Sequence, residues 1–149
     1  CCYTGLGFKE MVSLKKKQIV KEFDDNLWLH IHRNKTNKFY KIPLLSKAEA
    51  ILLKYNDSES EFVLPKMYNS HFNAYLKEIA SLTGIHKKLS HHIARKTFAT
   101  TVLLYNDVPM EIVSKLLGHS KLQTTQDHYG KIIDKKVSEQ MKRISKKLS

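Results

Sequence analysis

Hydrophobic residues change their spacing along this chain, and that change constrains the fold more than any other feature. Leu27, Leu29 and Ile31 alternate with Trp and His residues, and alternation with a period of two is typical of a strand with one buried face. After the third predicted strand, hydrophobic residues recur at helical intervals instead. Strands are predicted over residues 18–23, 26–33 and 38–44. We therefore predict a mainly α domain with a small three-stranded antiparallel sheet, an α+β fold.

The predicted helices precede and follow this sheet. In chain order they cover residues 8–14, 46–55, 68–82, 90–105 and 109–117, a short helix around Tyr129, and an amphipathic C-terminal helix over 131–149. Ser46 and Ser90 are expected to cap the N-termini of their helices. Gly84 and Gly118 are expected just past helix C-termini. The aromatic residues of the 68–82 helix are expected to lie in the core.

The charge of the chain favours a polyanionic partner. Lys and Arg outnumber Asp and Glu by 26 to 14, which gives a formal net charge of +12 and an isoelectric point near 9.7. A small domain with that excess is typical of nucleic-acid binding. A merely basic, well-solvated surface is the alternative interpretation. An anionic membrane surface fits less well, because the basic residues are spread along the chain.

Length and composition predict a single folded domain. The 149 residues are 42% hydrophobic, which is enough for a core. No run of apolar residues reaches the length of a membrane span, and the opening residues lack the basic and then apolar pattern of a signal peptide. Cys1 and Cys2 are adjacent, a spacing that suits neither a disulfide framework nor a zinc site. We expect a reducing, cytoplasmic compartment and no bound metal.

Residues 90–129 bring together side chains that suit phosphodiester chemistry. His92 and Arg95 are three residues apart, so they share one face of the predicted helix. His119 follows a predicted helix end, and Tyr129 stands further on. A cation, two imidazoles and a phenol can bind a phosphate, move its protons and attack it. Each residue alone also has a structural interpretation, such as a helix-end histidine or a core phenol, but their joint occurrence favours chemistry.

Four ordered pieces of this stretch resemble the catalytic signature of the tyrosine recombinase (phage integrase) family. They are His92-x-x-Arg95, Thr-Phe-Ala-Thr at 97–100, Leu-Gly-His at 117–119 and Tyr129. The resemblance implies the catalytic domain of a bacterial phage or conjugative-element integrase. It also implies site-specific DNA recombination, or DNA integration, by cleavage and rejoining of duplex DNA through a covalent 3′-phosphotyrosine.

The resemblance implies a catalytic role for each of five residues. Tyr129 would attack the phosphorus, and Arg95 would bind its non-bridging oxygens. Lys35, in the turn between the second and third strands, would protonate the leaving 5′ oxygen. His92 and His119 would hydrogen-bond the phosphate and help to deprotonate the tyrosine. No metal, nucleotide or other cofactor is expected, since the phosphotyrosine bond conserves the energy for rejoining.

The chain departs from the family pattern at two places. Thr-Gly-Leu at 4–6 resembles the lead-in to the family's first catalytic arginine, but Gly7 occupies that position. Lys9 is the nearest cation and a possible replacement for the arginine. An ammonium group, however, cannot make the bidentate hydrogen bonds to two phosphate oxygens that a guanidinium makes. The tyrosine also stands one residue further from His119 than in most of the family. The histidine before it, His128, has no derived role.

The resemblance implies partners as well as chemistry. We expect duplex DNA as the substrate and a homo-oligomer, a tetramer, on that DNA, with no membrane partner. Arg33, Lys38, His91 and Lys96 are expected to contact DNA. Residues 1–149 are expected to be an N-terminally truncated catalytic domain that lacks its core-binding domain and first helices. The C-terminal helix is expected to bury its apolar stripe within the chain or against another copy.

Three other interpretations remain open. A type IB topoisomerase would use similar chemistry, although the Leu-Gly-His and Thr-Phe-Ala-Thr pieces favour a recombinase. A catalytically weakened, DNA-binding recombinase remnant would explain the glycine at Gly7. A DNA-binding regulator of the helix-turn-helix type would bind a specific sequence without depending on Tyr129.

Overall fold

A computed structural model describes residues 1–33, 38–55 and 59–148, apart from the side chains of Lys131 and Ile133. The helices are α1 (Phe8–Val12), α2 (Ser46–Lys54), α3 (Asn69–Leu82), α4 (His91–Thr97), α5 (Met110–Leu116) and α6 (Leu122–Leu148). The strands are β1 (Ile19–Lys21), β2 (Leu27–Arg33) and β3 (Lys38–Pro43). This architecture confirms the predicted mainly α fold with a small sheet. In the part of the chain so described, no helix is long and apolar enough to cross a bilayer.

The sheet is antiparallel in the order β1-β2-β3, as predicted. Leu29 lies opposite Ile19 on one side and Ile42 on the other, and Ile31 lies opposite Tyr40. The alternation of the sequence is confirmed here, because Leu29, Ile31, Tyr40 and Ile42 are all buried. The predicted turn after β2, with Lys35, lies outside the described residues. The sheet thereby presents one apolar face to the helices.

The helical core packs on that face through residues near the predicted site. Phe98 and Ala99 follow directly after α4, and Val113 and Leu117 come from α5 and its end. All four side chains are buried in the same cluster as the buried strand residues. Since His92 and Arg95 precede this segment and His119 follows Leu117, the core fixes the backbone of both parts of the site.

The central helix does not run uniformly to Tyr105 as predicted. It is α-helical as far as Thr97 and then changes to a π-helical segment, Phe98–Leu103, and a short 3₁₀ turn, Leu104–Asn106. The hydroxyls of Thr97 and Thr100 donate to the carbonyl oxygens four residues earlier, at 3.0 and 2.9 Å. Hydroxyls that bond to backbone carbonyls loosen the regular helical ladder, which is a physical reason for the wider turn.

Helix ends follow the predicted chemistry at three of four places, and one of the three is Gly118, just past the end of α5. Ser90 caps α4, since its Oγ accepts from the Ile93 N–H at 3.4 Å. Gly84 lies past the end of α3 with φ of +66°, a left-handed conformation that suits glycine. The prediction that Ser46 caps α2 is wrong. Ser46 is the first helical residue, and the preceding position is occupied by a leucine with no side-chain cap.

The prediction that the aromatic residues of the 68–82 helix lie in the core is wrong. Tyr68, Tyr75 and Leu82 are 77%, 55% and 80% exposed, whereas Ala80 is buried. Phe72 does reach inward, with its ring centroid 5.3 Å from that of Phe8. The spacing correctly predicted an amphipathic helix, but spacing is the same whether the apolar side meets a core or an external partner.

The predicted short helix around Tyr129 and the predicted C-terminal helix are one continuous helix, α6. Its C-terminal half carries an apolar stripe that is exposed, not buried within the chain. The described members are Val137, Met141, Ile144 and Leu148, which are 46% to 84% exposed. The side chain of Ile133 lies outside the described residues. Lys136 attaches α6 to the rest of the domain, because its Nζ donates to Asp107 Oδ1 at 2.5 Å and to the Leu104 carbonyl.

Gly118 is expected to tolerate no larger residue. Its φ is +62°, and a β-carbon there would lie 2.9 Å from the ring of buried Tyr40. Left-handed strain costs about 1–2 kcal/mol, and overpacking costs about 1–3 kcal/mol more. The unfolding free energy of Gly118→Ala, measured with urea, should therefore fall clearly.

Gly84→Ala is the matched control for this prediction. Its φ is also positive, but a β-carbon there meets nothing within 4 Å. The difference between the two variants thus isolates the contact with Tyr40. Equal destabilisation in both variants would contradict a role for that contact.

Candidate active site

One cleft of about 480 Å³ collects most of the predicted site residues. It lies between the end of β2, α4, the loop after α5 and the first turns of α6. Its lining consists of Arg33, His92, Arg95, Lys96, His119, Ser120, Thr124, His128 and Tyr129. The structure therefore brings Tyr129, Arg95, His92 and His119 together, along with two of the residues expected to contact DNA. Lys35, the fifth predicted catalytic residue, lies outside the described residues.

Arg95 is held by backbone carbonyls on both sides. Its Nη1 donates to the Gly5 carbonyl and its Nη2 to the Leu117 carbonyl. Burial lowers the pKa of Arg95 from its usual value, and Arg33 lowers it further, but a guanidinium remains charged at neutral pH. These two hydrogen bonds fix the planar guanidinium group of Arg95 between the N-terminal loop and the end of α5.

Tyr129 extends from α6 into the same cleft and is only 6% exposed. Burial raises the pKa of its hydroxyl, while the charge of Arg95 partly lowers it. The hydroxyl is therefore protonated at neutral pH. A phenol in this position needs a proton acceptor before it can attack a phosphate.

His119 is oriented by a residue that the sequence analysis missed. Its Nδ1 lies 2.7 Å from the hydroxyl of Thr125, which is fully buried in the first turns of α6. Because Nδ1 is engaged, Nε2 is the nitrogen left to meet a substrate in the cleft. Burial, followed by the charges of Arg95 and Arg33, lowers the pKa of His119 to about 4. The imidazole is therefore neutral at pH 7.

That lowered pKa predicts a loss of stability in mild acid. Below pH 6.5 the unfolded chain takes up a proton at His119, but the folded chain does not do so until about pH 4. The unfolding free energy should therefore fall as the pH is lowered through this window. Urea denaturation at several pH values would measure the slope, and His119→Gln should make it shallower.

Two points sharpen this measurement. The pKa of His91 is also lowered, by burial and by His92, so His91 contributes a loss in the same direction. His86, which is exposed, supplies a matched control for the substitution itself, and His86→Gln should leave the unfolding free energy at pH 7 nearly unchanged. A His119→Gln variant with an unchanged slope would contradict the prediction.

Three cations hold the loop that carries His119. Arg95 donates to the Leu117 carbonyl, Arg33 Nη1 to the Gly118 carbonyl at 2.8 Å, and Lys38 Nζ to the His119 carbonyl at 2.6 Å. Three successive carbonyl oxygens at the end of α5 are thus paired with positive charge. The electrostatic preference of a helix C-terminus for cations is consistent with this arrangement. Lys38 is exposed and binds from outside the cleft.

A second cavity, also of about 480 Å³, adjoins the cleft on the side of Gly7. It shares Arg33, His92 and Arg95 with the cleft, and its other lining residues are Gly7, Phe8, Lys9, Glu10, Asn69 and His91. Lys9, the suggested replacement for the missing arginine, is exposed and lines this cavity, whereas the lining of the Tyr129 cleft does not include it. The two adjoining cavities, which share Arg33 and Arg95, are together called the recess.

The space beside Gly7 is occupied by a carboxylate. A β-carbon added at Gly7 would collide with Oε2 of Glu10, whose side chain folds back over the N-terminus of α1. The charge of Glu10 acts on Arg95 and His91, in the direction that favours their protonated forms. Sequence reasoning missed Glu10, although an acidic residue in the first turn of a helix is a recognisable signal.

The remaining residues expected to contact DNA lie around the mouth of the recess. Lys96 is exposed on α4 and lines the cleft. The ring of His91 lies beside that of His92, with centroids 4.1 Å apart, and its Nδ1 is buried without a hydrogen-bond partner in the described structure. Over residues 1–33, 38–55 and 59–148, no group of three or more His, Cys, Asp or Glu is placed to hold a metal ion.

The chain is similar in sequence to bacterial recombinases and a transposase. It is 34% identical over 144 residues to tyrosine recombinase XerD of Listeria monocytogenes, covering 83% of this chain and 45% of the relative. It is 25% identical over 162 residues to transposase B from transposon Tn554 of Staphylococcus aureus, covering 97% of this chain and 25% of the relative. The chain thus spans less than half the length of these curated relatives.

The fold is similar to that of solved recombinases. The crystal structure of XerA recombinase superposes with a TM-score of 0.69 at 23% identity, over 84% of this chain and 48% of that chain. The XerH site-specific recombinase bound to its difH substrate gives a TM-score of 0.67 at 18% identity, over 84% of this chain and 39% of that chain.

A family comparison covers almost the whole chain. The model of the phage integrase family matches residues 1–136 of the 149. The matched region contains α1, the sheet, α4 and α5, and it includes Tyr129 on α6. The chain therefore belongs to the phage integrase family, whose catalytic-domain fold it shares.

Proposed function

We propose that residues 1–149 form the catalytic domain of a site-specific DNA recombinase that cuts and rejoins duplex DNA through Tyr129. One observation supports the proposal: Tyr129, Arg95, His92 and His119 line the same cleft, and the charge of Arg95 acts on the Tyr129 hydroxyl. A nucleophile next to a fixed cation and two imidazoles suits in-line attack on a phosphodiester.

The proposed reaction exchanges one ester bond for another. The Tyr129 oxygen attacks the phosphorus, its proton passes to an imidazole of the cleft, and the 5′ oxygen leaves with a proton from Lys35. His119 can act as the proton acceptor only once substrate is bound, because its pKa of about 4 makes it a weak base in the free protein. A bound phosphate raises that pKa, since an anion favours the protonated imidazole. Rejoining reverses each step.

The proposed substrate is duplex DNA. The solved recombinases XerH and the Tn1549 transposon integrase are described as bound to difH substrate and to transposon right end DNA. In this chain the support is the net charge of +12 and the cationic lining of the cleft. Bacterial cytoplasm, where such DNA resides, is the proposed compartment.

DNA binding by the chain is expected to depend strongly on salt. Each neutralised phosphate contributes about −0.9 to the slope of log affinity against log salt concentration. Contacts from Arg33, Lys96 and neighbouring lysines should therefore give a slope steeper than about −3 in a fluorescence anisotropy titration. An affinity that does not change with salt would contradict the electrostatic basis of binding.

We propose in addition that the chain assembles into a homo-oligomer, a tetramer, on DNA. The support is the exposed stripe of Val137, Met141, Ile144 and Leu148 on α6, which no other part of the described chain covers. Exposed apolar surface of this kind marks contact with another molecule. Sedimentation of the protein–DNA complex measures the number of copies.

Trapping of a covalent adduct tests the proposed function. The full-length gene product is incubated with nicked duplexes that span the DNA on either side of its gene, so that the released strand end diffuses away. We expect a denaturation-resistant complex in which mass spectrometry finds a 3′-phosphate on the peptide containing Tyr129. Binding of these duplexes without any adduct would overturn the proposal.

The second candidate function is DNA binding by a catalytically weakened recombinase. Two observations favour it: Gly7 supplies no charge, and the Glu10 carboxylate occupies the neighbouring space. A carboxylate there would repel a phosphate. The adduct experiment separates the two functions, because the weakened protein would bind the duplexes and leave them uncut.

A further inference from the structure

The cleft has a deficit of fixed positive charge where a phosphate would react. A phosphoryl group under attack carries negative charge on its non-bridging oxygens, and such charge is stabilised by preorganised donors. Arg95 supplies one guanidinium, but Gly7 supplies none, and Nη1 and Nη2 of Arg95 already donate to backbone carbonyls. Another cation is needed within reach of the same phosphate.

Arg33 lies where such a cation is needed. It ends β2, is half-buried, and lines both the cleft that contains Tyr129 and the cavity that contains Gly7. Its charge also contributes to the lowered pKa of both Arg95 and His119, after the larger effect of burial. Nη1 donates to the Gly118 carbonyl, and a guanidinium has further N–H donors in its fork.

Apart from Arg33 and Arg95, no lysine or arginine of the described chain lines both cavities. Lys96 is exposed and lines the cleft but not the cavity on the Gly7 side. Lys9 is exposed and lines only the cavity on the Gly7 side. Lys38 donates to the His119 carbonyl from outside the cleft. The sequence contains three arginines, and the third, Arg143, lies on the exposed C-terminal part of α6.

We propose that Arg33 is a catalytic residue that supplies the guanidinium absent at Gly7. It would bind a non-bridging oxygen of the scissile phosphate from the end of β2, whereas Arg95 comes from α4. This proposal rests on the proposed function, and it replaces Lys9 with Arg33 as the compensating cation.

The test compares two substrates that differ by one charge. The full-length gene product and its variants are given nicked duplexes with either a normal phosphodiester or a neutral methylphosphonate at the cleavage site. On the phosphodiester, Arg33→Ala should slow adduct formation by about 10²–10³-fold. On the methylphosphonate the loss should be at least about ten times smaller, because less negative charge needs stabilisation.

Matched variants separate charge stabilisation from support of the loop. Lys38→Met removes a cation that also holds a carbonyl of the loop and is expected to contact DNA, so any loss of rate should be equal on both substrates. Lys9→Ala should behave in the same way. Adding Gly7→Arg to Arg33→Ala should restore part of the rate once the flexible Glu10 side chain moves aside. Circular dichroism melting confirms that each variant is folded.

Several outcomes would overturn the assignment of Arg33. An equal loss on both substrates would mean that Arg33 only supports the Gly118 carbonyl. An unchanged rate in Arg33→Ala would also contradict the assignment of Arg33. So would a loss in Lys9→Ala that is larger on the phosphodiester than on the methylphosphonate. If the unaltered protein binds both duplexes and cuts neither, the proposed recombinase function fails, and the assignment of Arg33 fails with it.

Discussion

Replacing Tyr129 by phenylalanine should abolish covalent attachment to DNA altogether. The substitution removes the attacking oxygen and keeps the ring that is packed in the core cluster, so the fold should persist. No other group can form the phosphotyrosine bond at this position. Denaturing gel electrophoresis of the nicked-duplex reaction measures the result, and an anisotropy titration should show that DNA binding is retained.

His128 provides the matched control for this experiment. It precedes Tyr129 on α6 and lines the same cleft, but it is exposed, and its ring centroid lies 6.1 Å from that of Tyr129. It also stands at the spacing from His119 that the resemblance leads one to expect for the tyrosine. His128→Phe should still form the adduct. Loss of the adduct in His128→Phe, together with its survival in Tyr129→Phe, would mean that the nucleophile has been misassigned.

Replacing Arg95 by lysine should reduce the rate of DNA cleavage by about 10²–10³-fold, although the charge is kept. A lysine has a single ammonium group and cannot donate in two directions as the Arg95 fork does, to the Gly5 and Leu117 carbonyls. The variant should therefore lose the fixed geometry of its charge. Single-turnover cleavage of the nicked duplex measures the effect.

Arg143→Lys is the control for Arg95→Lys. It makes the same chemical change on the exposed part of α6, and its cleavage rate should equal that of the unaltered protein. DNA affinity should change little in either variant, since the number of charges is the same. If Arg95→Lys cleaved DNA at the normal rate, a single positive charge would be sufficient. The two hydrogen bonds from Arg95 to backbone carbonyls would then have no catalytic importance.

The sheet and the central site were predictable because local patterns determine them. The alternation of Leu27, Leu29 and Ile31 has one solution that buries an apolar face, and the structure adopts it. His92 and Arg95 share a face because helical geometry brings residues three apart together. The roles of these residues in catalysis remain predictions.

Other features could not be predicted, because they depend on distant parts of the chain. The apolar residues on the exposed side of α3 have the same spacing as those of a core helix. The sequence therefore could not show that no other element of the described chain covers this side. Thr125 could not be connected to His119 without the angle between α6 and the preceding loop. Arg33 was recognised only as a DNA contact, since the cavity that it lines together with Gly7 is formed only by the tertiary structure.

The continuity of α6 gives the chain a mechanical property. Tyr129 and Ile144 stand fifteen residues apart on one uninterrupted helix, a distance of about 22 Å along its axis at 1.5 Å per residue. A displacement at one end of such a helix would be carried to the other end, and the bonds of Lys136 lie between the two ends. A molecule that binds the far end of α6 would therefore also shift the phenol at the near end. In the proposed reaction, the timing of each strand cut would then respond to contacts made far from the phosphate.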